Sequence, residues 1–249
     1  MPVIYASSTG NTDDTYMGRL GQSSWTNARD GAVATTSTDG ASQTSVFTQV
    51  YTTVDPRAGT TVYGVRRSFM VFDTSGLSGT VASAELSVRG YSANDGSVIA
   101  VKSDAYGGDG GTNWSTSDFN NIVGLSLGVN SLAGVATVYG AQKTTTNWTT
   151  SGWNDFTATS DLLTDMKNNN VVIVCFMDYT NDYLDVAPSS GDNLNCGAYF
   201  AEKTSPDYRP HIDYTLAVGY SNSVNGVAAA SIGKINGVAT ANIEKVNGI

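Results

Sequence analysis

The side chains able to do chemistry are few and widely spaced. His211 is the single histidine, and it follows Pro210 on a segment that reads as a closing β-strand. A Ser-His-Asp triad would have to use it, and no Gly-x-Ser-x-Gly elbow is present. Cys175 and Cys196 are the whole sulfhydryl inventory. One histidine and two distant cysteines make a poor transition-metal set. Cys175 lies inside the apolar run VVIVCFM and reads as a small core residue, while a bond to Cys196 is left open. The pairs Asp13/Asp14 and Asp178/Asp182/Asp185 are candidate glycosidase acids only if two of them face each other across a cleft. Asp104, Asp109, Asp178, Asp182 and Asp185 fall on expected loops or strand ends, where oxygen ligands suit calcium. No EF-hand or nonapeptide loop accompanies them. The sequence therefore assigns no catalytic residue, no metal site and no cofactor, with calcium the one ion its chemistry leaves open.

The aromatic residues point to recognition instead. Trp25, Trp114 and Trp148 fall in loop-like segments, and Tyr106 and Tyr183 at strand ends. A flat ring stacks on a sugar while polar neighbours hydrogen-bond its hydroxyls. These five are the ligand-binding candidates. For Trp114 and Trp153 the alternative is a role capping the core.

Composition limits the partners. The 249 residues carry a formal net charge of -9, with 14% charged and 40% hydrophobic residues. An acidic chain without a basic patch excludes nucleic acid and an anionic membrane surface. The longest apolar run, Val171 to Met177, is far short of the ~20 residues that span a bilayer. The opening MPVIYASSTGNTDD has neither the basic start nor the apolar core of a signal peptide. A Gly/Ser/Thr/Asn-rich β protein of this kind is expected in a virion or, with a leader removed, outside a cell.

The elements that would position these residues are strands. Arg66 to Tyr91 reads as two strands around a Ser/Gly turn. Phe69 and Val71 face one way and Met70 and Phe72 the other, which predicts a strand buried on both sides. In the second strand Ala82, Ala84, Leu86 and Val88 alternate with polar residues, the period of a half-buried strand. Leu77 is left to tuck under the turn. Further strands are expected at 2–6, 44–54, 97–106, 134–139, 153–157, 171–179, 198–201 and 211–216. Residues 18–43 read as loop or weak strand, and Ser117-Asp118 as the start of one helical turn. Thr159-Ser160-Asp161 is an N-cap, and Leu162, Leu163 and Met166 make a helical face over about residues 160–167, the only helix expected. The fold class is all-β, a jelly-roll β-sandwich over residues 1–217.

The stretch RRSFMVFDTSGLSGTVASAELSV resembles the core motif of DNRLRE-type jelly-roll domains, which are similar to carbohydrate-binding modules. Thr12 to Tyr16 resembles the family's opening Asp-x-x-Tyr strand. Trp114 and Trp153 to Thr157 resemble its central tryptophan and the segment before its helix, and Arg209-Pro210-His211-Ile212 its closing strand. The resemblance implies a non-enzymatic stalk or adhesion module displayed at a surface. It carries over no ligand residues.

Residues 218–249 differ in kind. Val224, Ile235 and Val246 recur every 11 residues, each followed by Asn-Gly. Val227, Val238 and Ile249 recur in phase, as do Ile232 and Ile243. Asn-Gly between apolar residues is a type I′ hairpin signal, so the repeat is expected to be a β-meander. It has too few large apolar residues to form its own core and is read as an assembly surface. The repeat resembles tails that end or link phage structural proteins. The expected function is a non-enzymatic virion protein: a capsid decoration, head fibre or tail appendage. The expected partners are copies of itself, other virion proteins and surface glycans. The alternative is a secreted carbohydrate-binding module or adhesin.

Overall fold

The computed structural model describes residues 1–8, 14–39, 44–126, 131–204, 207–217, 233–235 and 238–239. Alternating and continuous apolar segments produce what their periods dictate, an antiparallel sheet of twelve strands folded into a sandwich. The hinge of that folding is β6 (Val81–Asn94). Its first part pairs with β12 (His211–Leu216) and β9 (Trp153–Thr157), and β1 (Val3–Tyr5) flanks β12. Its end pairs with β11 (Asn193–Tyr199), which continues through β4 (Thr44–Val54) to β5 (Thr61–Asp73). Beyond lie β10 (Val171–Met177), β7 (Val98–Lys102) and β8 (Val138–Lys143). The opening segment supplies β2 (Thr15–Gln22), paired with β5, and β3 (Thr36–Asp39), paired with β2.

β5 is the centre. Met70 and Phe72 join Leu86, Val88, Phe156, Val174, Phe176 and Ile212 in the core between the two faces of the sandwich. Phe69 and Val71 point the other way, into a second core with Met17, Val65, Ile173 and Cys175. The two-sided burial read from the sequence is thus present. Removing such rings from water stabilises the fold by roughly 1.5–3 kcal/mol each. In β6 the expected alternation holds for Ala84, Leu86 and Val88, but Ala82 is exposed and Val81 buried. A register shift opposite Thr215/Leu216 turns the strand end over. Leu77 packs against the first core as expected.

The helix predicted near 160–167 is α2 (Ser160–Asn168), with the Thr159 side chain accepting from Leu162 N and with Leu162 and Met166 buried. It is not the only helix. A further helix, α1 (Trp25–Asp30), is capped by Ser24 and covers the second core with Ala28. It lies in the stretch read as loop or weak strand, and it was hidden because six residues are too short to show a helical period. A 3-10 turn at Thr116–Asn120 has a Ser115/Asp118 capping box, close to the turn expected there. A π-type turn spans Tyr179–Tyr183. β8 and β11 begin about five residues away from the strands expected at 134–139 and 198–201. Asn193 and Asn195 carry β11 although Asn is depleted in strands.

In the C-terminal repeat, β13 (Lys234–Ile235) pairs antiparallel with β14 (Val238–Ala239), and Ile235 lies opposite Val238. Asn236-Gly237 links them, so this pairing matches the predicted hairpin. Val224, Val227, Ile232, Ile243, Val246 and Ile249 lie outside the described residues. Among the described residues no helix is long and apolar enough to cross a membrane.

Candidate functional site

Strand alternation and pairing register together build a row of rings on the outer surface. Where Ile4 and Ile212 point inward, Tyr5 and His211 point outward, and the two are register partners. Trp153 lies opposite Arg89 across the β6–β9 pair. The rings then make a chain. Tyr5 is 5.9 Å from His211, His211 is 4.6 Å from Trp153, and Trp153 meets Tyr208 edge-on at 6.5 Å. Tyr208 is 5.0 Å from Tyr199, which is 5.7 Å from Tyr91. Cations hold the row in place. Arg89 lies 4.5 Å from the Tyr208 ring centre and Arg209 3.7 Å from that of Tyr5. Asp207 receives Arg209 Nε and Nη2 at 2.9 and 2.8 Å, and these hydrogen bonds hold its carboxyl down at about 2. Tyr5 is 37% exposed and the other rings are half-buried. Such a strip offers flat apolar faces beside hydrogen-bonding groups, the chemistry that recognises sugars or protein surfaces.

The five aromatics singled out from the sequence are elsewhere. Tyr106 is fully buried with its hydroxyl donating to Phe69 O at 3.3 Å, and Tyr183 is buried against Tyr179. Trp148 is buried beside Phe47, its Nε1 donating to Ser92 O at 3.2 Å. With no free ring face, these three are corrected from ligand platforms to core. Trp25 and Trp114 are half-buried against the second core, and Trp25 Nε1 donates to Asp185 Oδ1 at 2.7 Å. Four of the five thus belong to the layer that covers the second core, and Trp148 to the first core. Trp153, weighed from the sequence between recognition and core capping, joins the outward rings Tyr5, Tyr199 and Tyr208, which were missed because they become neighbours only through register. For Tyr5 and Trp153 the signal was alternation, since each sits next to an inward residue, Ile4 and Asn154, whereas Tyr208 lies outside the strands and had none.

Of the acidic residues read as calcium candidates, Asp178, Asp182 and Asp185 are drawn into structure, while Asp104 and Asp109 are exposed. Asp182 is completely buried and receives Arg67 through two parallel bonds, Nε to Oδ2 and Nη2 to Oδ1, each 2.7 Å. Arg67 also donates to Phe119 O, Asn120 Oδ1 and Arg29 O, so all five of its N–H groups are used. Arg29 donates to Asp182 O and Asp30 Oδ1, each at 2.6 Å. Burial raises the Asp30 carboxyl despite the Arg29 charge beside it. Asp178 accepts from Asn181 N and from Ser97 N and Oγ, and its burial outweighs these bonds and raises its pKa. Asp109 accepts from Gly111 N. Among the described residues no three His, Cys, Asp or Glu side chains converge on a metal position.

His211 has Nδ1 3.0 Å from Arg209 O and Nε2 3.3 Å from Asp213 Oδ2, with its ring edge-on to Trp153. These contacts fix the ring as a member of the row. Cys175 and Cys196 are both free and buried. Burial pushes both thiols up, Cys196 to about 12. The chain matches no protein-family model and no curated protein.

Proposed function

We propose that the chain is a non-enzymatic structural protein of a virion, a jelly-roll sandwich displayed as a capsid decoration, head fibre or tail appendage and assembled through its C-terminal repeat. The observation that carries this reading is the pairing of Ile235 with Val238 around Asn236-Gly237. It supports the repeat as β-structure, and Val238 is 48% exposed. The involvement of Asp178, Asp182 and His211 in packing supports a non-catalytic role. A chain ending at residue 217 should remain folded yet lose its defined oligomer in light scattering and fail to incorporate into particles. Assembly by the truncated chain would rule the tail out.

The row from Tyr5 to Tyr91 favours a second reading, a secreted carbohydrate-binding module or adhesin. Glycan-array binding that disappears in Trp153→Ala, with the melting curve preserved, is the expected result. Unchanged binding in that variant would remove the row from recognition.

A further inference from the structure

Arg66 is the residue whose surroundings ask for something the described residues do not supply. It is half-buried, its Nε is shielded from solvent, and that nitrogen has no hydrogen-bond partner. Its one protein contact of note is the Tyr16 ring, 5.6 Å from Cζ. A guanidinium carries five donors and a permanent charge. Leaving such a group partly desolvated and without an acceptor is costly unless an acceptor arrives from outside.

Arg66 sits in the floor of a groove of about 680 Å³. The floor is built by register: Gln49 on β4 and Gly18 on β2 both lie opposite Arg66. Alternation along β4 puts Gln49, Tyr51 and Thr53 on this face, while Val50 and Thr52 are buried. Tyr51 lies over Gly64, its register partner, where an added Cβ would fall 2.1 Å from the ring. The tyrosyl oxygen accepts from Gly21 N at 3.3 Å, which holds the ring flat along the floor. Gln49 Nε2 donates to Asn193 Oδ1 at 2.7 Å, fixing that amide pair beside Arg66. Ser190 and Gly191 form one wall and Leu20 another.

A shallower depression continues past Tyr51 and Thr53 to Arg57. Among the described residues the two are lined by two arginines and a single acidic residue, Asp55, whose Oδ1 already accepts from Arg57 N and Ala58 N. On a chain of net charge -9 this is a local reversal of sign.

We infer that this groove binds an acidic polysaccharide: hydroxylated rings stack along Tyr51, the Gln49/Asn193 amides and the Thr53 and Ser190 hydroxyls bond the ring oxygens, and a carboxylate or sulfate on the chain is received by Arg66. The anion is received by the Nη side of the Arg66 guanidinium, which faces the groove while Nε is closed to solvent, and the tyrosine ring supplies the apolar face. The site is separate from the Tyr5–Trp153 row and holds for either setting of the protein.

The test is calorimetry on the full chain with three probes: dextran, dextran sulfate and polygalacturonate. Binding to one or both acidic polymers, weakened by salt and at least tenfold weaker to neutral dextran, is expected. Arg66→Gln should lower the acidic-polymer affinity at least tenfold, and Tyr51→Ala should lower it while keeping the salt dependence. Lys167→Ala, an exposed cation in the last turn of α2, should leave it unchanged. Preference for one acidic polymer identifies the anion read. Equal binding by Arg66→Gln and wild type, equal binding of neutral dextran, or no binding of any polymer overturns the proposal. Loss of glycan-array binding in Trp153→Ala bears on the ring row alone, so the two surfaces fail separately.

Discussion

Arg66 and Arg67 are neighbours in sequence and opposites in structure. Arg67 points into the second core, where Asp182 and three carbonyl or amide oxygens take all its donors. Arg66 points outward into the groove, with a buried nitrogen that has no partner among the described residues. The same side chain on the same strand is a structural tie on one face and an open receptor on the other. A satisfied buried ion contributes mainly by forbidding alternatives, because its desolvation offsets most of its attraction. It joins β5, α1, the Thr116–Asn120 turn and the Tyr179–Tyr183 turn at one point. An unsatisfied ion adds little to folding and leaves its interaction energy for a ligand.

The largest test of this contrast is Arg67→Ala. It would strand the Asp182 carboxylate in the core and should cost about 3–5 kcal/mol in denaturant melts. Adding Asp182→Leu to Arg67→Met should recover part of the loss, since no charge is then stranded. Thiol labelling sharpens the same point. Cys175 lies in the arginine layer and Cys196 in the other core. With both thiols raised by burial, neither should react with a thiol reagent at pH 8 until the chain unfolds. Arg67→Ala should speed labelling of Cys175 more than that of Cys196, and equal acceleration would mean that the two layers open together. Arg66→Ala, by contrast, should shift stability by no more than about 0.5 kcal/mol. A loss as large as that of Arg67→Ala would break the comparison.

The smallest effect belongs to the exposed Arg209–Asp207 pair. Its hydrogen bonds hold Asp207 at about 2 when folded, below the ordinary carboxylate value. A lowered folded value means the contribution is present above pH ~4 and lost as pH falls towards 2. Solvent screening keeps it within about 0.2–1 kcal/mol. The stability difference between Arg209→Ala and wild type should therefore be larger at pH 6 than near pH 2, where the Tyr5 contact of Arg209 remains.

Much of the frame was legible in the sequence. The apolar run of β5 announced a strand buried on both faces, and the Thr159 cap announced α2. The arginine tie was half-legible. Arg67 shares a face with Phe69 and Val71, so alternation alone places a cation in an apolar row. Its partner was not legible, because Asp182 lies 115 positions away and meets it only in the folded chain. Tyr106, Trp148 and Tyr183 lie in irregular segments, where no period tells inside from outside. The groove depended on Gly64 leaving room for Tyr51, a cross-strand relation that neither residue shows by itself.

The β1–β12 pairing has a further consequence for engineering. Tyr214 N donates to Pro2 O at 3.1 Å, and Ala217 N to Thr80 O, on the same edge of the sandwich. The segment leaving β12 therefore starts about three residues, or roughly 10 Å, from the beginning of β1. A linker of about four glycines and serines could close that gap. The sandwich thus suits circular permutation: joined at this edge and reopened in a surface turn such as Ser75 to Gly79, it would keep every strand pairing while presenting its ends from another side.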